Sequence, residues 1–403
     1  MFRKVAVGIS GGVDSAVAAL LLKQKGYEVH GVFMQNWDIT DENGICTLQA
    51  DYNDALFVAK KLDIKLHHVN FIKQYWNEVF CSLVEEYESG FTPNPDVLCN
   101  RNIKFNYFYD FAKEKLQADA IATGHYAKTS FGPYLENYDP DKNVKLFLAK
   151  DSIKDQTFFL CQIQQKALKN CMFPVGDLTK VTVKNIAKEN GLEKISTKPE
   201  SMGICFIGSR NFQNFIREYI KDKPGDFVDI DTGKVMGKHK GIHQWTLGQR
   251  ARLPGLHIAY FIARKNVEKN IIYVASGTKH PILYTRLFFT SEPHWIHSKP
   301  KVLEENFILE CQFKFQHSQD WVPCQICQTK SGLTVKLNGY KRAITAGQYA
   351  VFAKDGECLG SARIVNSGVS NFSYFYMHNT ECALRSKTDN ENKQNKKKLI
   401  SSI

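Results

Sequence analysis

Short apolar runs alternate with stretches of helical spacing through the first half of the chain. Residues 5–9 are apolar and lead into a pair of glycines, which predicts a buried strand followed by a tight turn. Residues 16–25 repeat apolar positions at helical spacing and stop at Gly26, a residue suited to a helix end. Residues 29–34, 66–69 and 120–123 read as further strands, and 50–62, 73–88 and 103–116 as helices. Strands alternating with helices predict a parallel α/β sheet joined by right-handed crossovers.

Past about residue 220 helical periodicity fades. Residues 234–237, 271–275, 307–315, 333–337 and 348–352 read as short strands, separated by turns such as Asp231-Thr232-Gly233 and Lys354-Asp355-Gly356. This pattern predicts two small antiparallel β domains, with a boundary near 281–293. The expected organisation is a parallel-sheet α/β domain over 1–215, a central β domain over 216–282 and a β-barrel-like domain over 283–380. Residues 381–403 are polar, charged and poor in aromatics, as in a disordered basic tail. No internal repeat is visible.

Composition narrows the class. The 403 residues are 43% hydrophobic and 23% charged, ordinary for a globular protein. No run of about eighteen apolar residues occurs, so no membrane span is expected. The N-terminus enters a strand without a long apolar leader, which argues against secretion. Eleven cysteines, an odd number, are expected to be reduced and mostly core residues. The net charge is +12, and residues 385–403 hold six Lys/Arg against two Asp/Glu, which leaves about +8 on the folded body. Such a body suits a polyanion such as nucleic acid, though plain solubility explains it equally well.

Candidate chemistry begins at Ser10-Gly11-Gly12-Val13-Asp14-Ser15, between a strand and a helix. Glycines let successive N–H groups point into one concavity, and the helix N-terminus adds partial positive charge. Asp14 beside phosphate suggests a magnesium ligand or a helix cap. The loop has neither a P-loop lysine nor the dinucleotide glycine pattern. It resembles instead the pyrophosphate loop of the N-type ATP pyrophosphatases, S-G-G-x-D-S. That family cleaves ATP between the α and β phosphates and adenylates its substrate.

Two cysteine segments bear on the acceptor. Thr92-Pro93-Asn94-Pro95-Asp96-Val97-Leu98-Cys99-Asn100 is a stiff loop with Asp96 and Cys99 three residues apart near a helix start. In the first turn of that helix, the Cys99 thiol pKa would be lowered by the dipole. Ser201-Met202-Gly203-Ile204-Cys205-Phe206-Ile207-Gly208 flanks a second thiol with glycines. Each cysteine alone reads best as structural. Together behind an ATP loop they suit sulfur transfer, where one thiol carries sulfane sulfur and another resolves it. Cys324-x-x-Cys327 has metal spacing but no second pair, and the scattered histidines read as structural.

With these motifs, Gly124-His125-Tyr126-Ala127, Lys154-Asp155-Gln156-Thr157 and Trp245 to Arg250, the chain resembles the tRNA-specific 2-thiouridylases from residue 5 to about 377, nearest their mitochondrial branch. The resemblance implies ATP on Gly8, Ile9, Ser10, Gly11, Gly12, Val13, Asp14 and Ser15, with Met34 and Gly124 on the adenosine side, and Mg²⁺ as cofactor. It implies Asn94, Pro95 and Asp96 at the target base, and Lys154, Asp155 and Gln156 on tRNA. Lys314 and Phe315 stand where many members have Arg-Tyr, so Lys lacks the guanidinium fork and Phe the hydroxyl. Cys99 matches the nucleophile, Cys205 the persulfide carrier, and Asp96 is placed to move protons. The implied activity is a sulfurtransferase making 2-thiouridine at wobble position 34 of tRNAs for Lys, Glu and Gln, by way of a Cys99–Cys205 disulfide. The implied setting is a mitochondrial monomer fed by a cysteine desulfurase or persulfide relay. An N-type ATP pyrophosphatase acting on a small molecule is the alternative.

Overall fold

The computed structural model describes residues 2–37, 47–199, 207, 210–305 and 307–368. The first 172 residues contribute β1 (Lys4–Gly8), β2 (Glu28–Gln35), β3 (Lys65–Asn70), β4 (Ala120–Ala122), β5 (Lys128–Thr129), β6 (Leu146–Phe147) and β7 (Cys171–Met172). Five of them form a sheet in the order β3-β2-β1-β4-β7, every neighbour parallel. Helix α1 (Val13–Gln24) buries Val13, Ala16 to Leu20 and Leu22, so it is apolar nearly all round, as a helix enclosed by other elements must be. Helix α2 (Thr47–Leu62) and longer helical stretches at 72–88 and 95–114 complete the layers.

The helix at 95–114 bears on function. Asn94 caps it by accepting the Val97 N–H at 3.4 Å, and Pro95 takes the first helical position, where no N–H is needed. From Cys99 to Tyr107 it widens into π turns, with Phe105 at φ −109°, ψ 18°. Such widenings recur at functional sites.

The central sheet contains β8 (Gly225–Asp229), β9 (Val235–His239), β10 (Arg250–Ala251), β11 (Tyr260–Asn266) and β12 (Ile271–Ser276), in the order β10-β11-β12-β8-β9. One pair, β12–β8, is parallel, and the other pairings of this sheet are antiparallel. Phe227, Ile262, Ile272 and Val274 fill its small core. The last sheet contains β13 (Tyr284–Thr290), β14 (His294–Trp295), β15 (Leu309–Lys314), β16 (Val322–Thr329), β17 (Gly332–Arg342), β18 (Tyr349–Lys354) and β19 (Glu357–Ser367). Because β13 pairs with both β17 and β19, the ladder closes into a barrel. Its core includes Phe288, Phe313, Phe315 and Phe352. β6 pairs with β19 and carries β5 with it, so two strands from the first part of the chain extend the barrel sheet.

Candidate active site

In the order β3-β2-β1-β4-β7, the chain leaves β1 toward one side of the sheet, and β4 lies on the other. Loops after β1 and β4 therefore diverge above their C-terminal ends and open a crevice, the usual ligand position in such sheets. Gly8 to Ser15 leave β1 into this crevice. The Ser10 N–H donates to Ser15 Oγ at 3.2 Å, the two hydroxyls lie 3.3 Å apart, and Ser15 Oγ donates to the Gly12 carbonyl at 3.0 Å. Gly124 follows β4 and crosses the loop so closely that a Cβ there would lie 2.5 Å from the Ser15 nitrogen. Met34, near the end of β2, lies with its methyl 3.1 Å from where a Gly8 Cβ would stand.

Asp14 lies in the first turn of α1. Lys180, the first residue of the helix Lys180–Glu189, donates to both its oxygens at 2.7 Å. The Tyr126 hydroxyl donates to Oδ1 at 2.8 Å. The loop's one carboxylate is thus already engaged by a cation. Among the described residues no group of three His, Cys, Asp or Glu could hold a metal. The described residues therefore present no ligand set for a resident Mg²⁺.

The helix at 95–114 forms another wall. Phe108 approaches Gly8, at 3.7 Å from an added Cβ, and Phe105 packs against His125 at 5.7 Å between ring centroids. His125 shares a 2.8 Å hydrogen bond with Thr123 Oγ1. Its burial, reinforced by Lys104, holds its pKa well below the usual value, so the ring is neutral. Asp96 occupies the first turn and Cys99 comes one turn later, buried at 5% exposure, rather than in the first turn as the dipole reading required. Burial raises the Asp96 pKa, and the nearby charges of Lys104 and His317 oppose that rise. Cys205 lies outside the described residues.

A third wall is the segment before Thr157. Gln156 exchanges hydrogen bonds with the Tyr126 backbone, at 3.0 Å through its side chain and 2.9 Å through its N–H. Asp155 is buried, accepts from Ala149 N–H at 2.9 Å and Thr157 Oγ1 at 2.7 Å, and has its pKa raised by burial. Lys154 is half-buried, its N–H bonded to Asp151 Oδ1 at 3.1 Å. From the barrel, His317 Nε2 donates to the Asp155 carbonyl at 2.8 Å, and its ring stacks on Phe159 at 4.8 Å. Lys314 and Phe315 are 6% and 1% exposed. The Lys314 ammonium donates to the His317 carbonyl at 3.2 Å and lies over the Trp321 ring, while Phe315 stacks on Phe313. In this structure they support the His317 turn from within the barrel.

Sequence reasoning overlooked Lys180, His317, the Tyr126 hydroxyl and Lys104 as parts of the site. Lys180, His317 and Lys104 are single residues brought in by the fold, whereas Tyr126 stood inside the Gly124–Ala127 motif with no role given to its hydroxyl. Trp245 to Arg250 lies beside the same region, with Thr246 Oγ1 3.5 Å from Thr92 Oγ1. Cys324 and Cys327 sit three apart on β16, which turns them to opposite faces. Cys324 meets Cys311 instead, at 3.6 Å between sulfurs, so its surroundings do not match a zinc site.

Comparison with known proteins places the geometry among relatives. Residues 3–209 match the tRNA methyl transferase HUP domain, 213–276 the tRNA methyl transferase PRC-barrel domain and 285–364 the aminomethyltransferase beta-barrel domain. The chain is 50% identical to mitochondrial tRNA-specific 2-thiouridylase 1 of Drosophila melanogaster, covering 91% of this chain and 95% of that one. It is 46% identical to the human protein of that name, over 92% of each. It is 45% identical to a tRNA-specific 2-thiouridylase of Mycoplasma capricolum, over 90% of this chain and 99% of that one.

Proposed function

The chain belongs to the tRNA-specific 2-thiouridylase family, and from that premise we propose that it uses ATP to activate the C2 oxygen of the wobble uridine, position 34, and replaces it with sulfur. The observation that carries this reading is the packing of the helix bearing Cys99 against the loop after β1. Helix 95–114, which presents Asp96 and Cys99, packs through Phe108 and Phe105 against the loop at Gly8 and against His125 beside Gly124. An adenylating loop and a thiol at one place suit activation followed by sulfur transfer.

The uridine C2 carbonyl is a poor electrophile with a poor leaving oxygen. Transfer of AMP to that oxygen, with pyrophosphate departing, makes it a good leaving group. Loop amides and the α1 N-terminus stabilise the departing pyrophosphate. The terminal sulfur of a Cys205 persulfide attacks C2 and AMP leaves. The Cys99 thiolate attacks Cys205 Sγ and breaks the persulfide S–S bond, so the sulfur stays on the base with both electrons. A Cys99–Cys205 disulfide results, and an external thiol must reduce it. Alternatively Cys99 attacks first and releases hydrosulfide, with the same balance. Asp96, whose pKa is raised by burial, accepts or returns the proton of the attacking sulfur.

Asn94 and Pro95 face the base in this reading, with Lys154 and Gln156 toward the tRNA backbone. Buried Asp155, Lys314 and Phe315 act beneath that surface. The base must be unstacked to enter, which suits an anticodon loop. The substrates are tRNAs for Lys, Glu and Gln in the mitochondrion, where position 5 of the base is already modified. The protein works as a monomer and receives sulfur from a persulfide relay. Among the described residues no helix is long and apolar enough to cross a membrane.

The test is incubation with ATP, unmodified tRNA and a labelled sulfane donor under reducing conditions, followed by nucleoside mass spectrometry. We expect labelled 2-thiouridine from the wild type. Cys205→Ser should lose at least ~100-fold in thiolation and keep tRNA-dependent pyrophosphate release. Pyrophosphate release without any label in tRNA would point to the small-molecule alternative.

A further inference from the structure

The chain just before Asn94 is bonded to the barrel. The Thr92 N–H donates to the Ala346 carbonyl at 3.0 Å. Gln348 Nε2 donates to the Thr92 and Pro93 carbonyls at 2.7 and 3.2 Å, and Asn94 Nδ2 donates back to Gln348 Oε1 at 3.4 Å. Between them Gly347 has φ +97°, and a Cβ there would lie 2.8 Å from the Thr92 nitrogen. On the neighbouring strand β19, the Arg363 guanidinium lies 2.8 Å from Glu86 and over the Phe91 ring at 4.7 Å. Glu86 is half-buried near the end of helix 72–88, and burial raises its pKa although Arg363 opposes the rise.

These contacts come from one side of the barrel and converge on residues 86–94, directly ahead of the helix that presents Asp96 and Cys99. Holding so many partners on one short segment limits its freedom to shift, and small misplacements in such loops are costly to rate. We propose that the barrel is a positioning element of the thiolation site. Arg363, through Glu86 and Phe91, and the Ala346–Gln348 turn fix the segment that aims Asn94, Asp96 and Cys99. Arg363 thereby acts on the reaction through the loop. The activity readout rests on the thiolation reading above, whereas the exchange and alkylation readouts do not.

The test uses the full chain with Arg363→Met, Arg363→Lys and Gly347→Ala, and the milder Glu86→Gln should the others fold poorly. Hydrogen exchange at the Thr92 amide reads the docking directly, with the β1 amides as an internal reference for global stability. We expect Thr92 exchange and Cys99 alkylation to rise about tenfold in Arg363→Met and Gly347→Ala, with β1 unchanged. Thiolation kcat should fall about tenfold or more while KM for tRNA stays within about threefold, and Arg363→Lys should recover part of the loss. Unchanged Thr92 exchange in both variants overturns the proposal. So does a raised KM for tRNA with intact kcat, which would make Arg363 a tRNA contact.

Discussion

Asp96 is where the chemistry meets a cost in stability. Its carboxyl is taken out of water, and the opposing charges of Lys104 and His317 do not cancel that effect. A folded-state pKa above the unfolded value means that the native protein binds more protons in the window between them. Its contribution to stability is therefore fullest below the unfolded pKa, near 3.9, and is lost as pH rises through the raised folded value. Once ionised, this carboxylate is a destabilising group kept at the site. Asp96→Asn, nearly the same shape without the charge, should unfold at the same or a higher temperature at pH 7. Its advantage over wild type should shrink on acidification. Thiolation should fall by about 10²–10⁴, the range for loss of an acid–base group. Thermal unfolding at pH 4 and 7, with single-turnover thiolation, checks both parts. A less stable Asp96→Asn protein at pH 7 would show that the carboxylate is held by favourable contacts. The spacing of Asp96 and Cys99 was legible in the sequence. Lys104 and His317, which set the environment of Asp96, were not, because nothing local marks them.

At the scale of elements, the helix Lys180–Glu189 does for the loop what the loop cannot do for itself. A phosphate loop without a lysine needs positive charge from elsewhere, and the fold brings the first residue of this helix to Asp14. The Lys180 side chain is 12% exposed and that of Asp14 31%, so the pair is shielded on one side. Lys180→Met should leave Asp14 with Tyr126 and destabilise the fold by roughly 1–3 kcal/mol, below the range for fully buried pairs. It should also slow pyrophosphate release about 100-fold, as removal of a charge-stabilising donor does. Chemical denaturation and pyrophosphate release in the presence of tRNA measure the two effects. Release at the wild-type rate would make Lys180 purely structural. The strand that leads into the loop was legible because it is an apolar run: β1 is buried from Val5 to Gly8. The β-domain strands β8, β11, β13 and β19 passed unnoticed, whereas the Cys324–Cys327 segment of β16 did read as a strand. The buried positions of those four are broken up by polar residues or glycine, as along the half-buried β19, so no clear apolar run marks them.

Over the whole molecule, the barrel and the sheet domain are joined by shared structure as well as by surface contact. β6 continues the barrel ladder through Leu146 opposite Cys358 and Phe147 opposite Glu357, and Lys145 pairs with Glu357 at 2.8 Å. Deeper in, Gln162 Nε2 donates to Ser361 Oγ at 2.7 Å, while Ser361 Oγ lies 3.3 Å from the Cys161 carbonyl. Sequence patterning cannot reveal such an exchange, since β6 is two residues long and its partner comes some 210 residues later. A strand shared between two cores should make them unfold together. Gln162→Ala leaves a buried Ser361 hydroxyl with one fewer partner and should cost about 1–3 kcal/mol. If the two units are one cooperative block, that cost lowers the midpoint of a single transition seen alike by probes in β1 and in β18. Independent units would instead show the shift in one probe only, and the barrel could not then hold residues 91–94 in place throughout the native state. A single shifted transition would mean that the part that grips residues 91–94 and the part that carries Cys99 keep a common frame until both unfold.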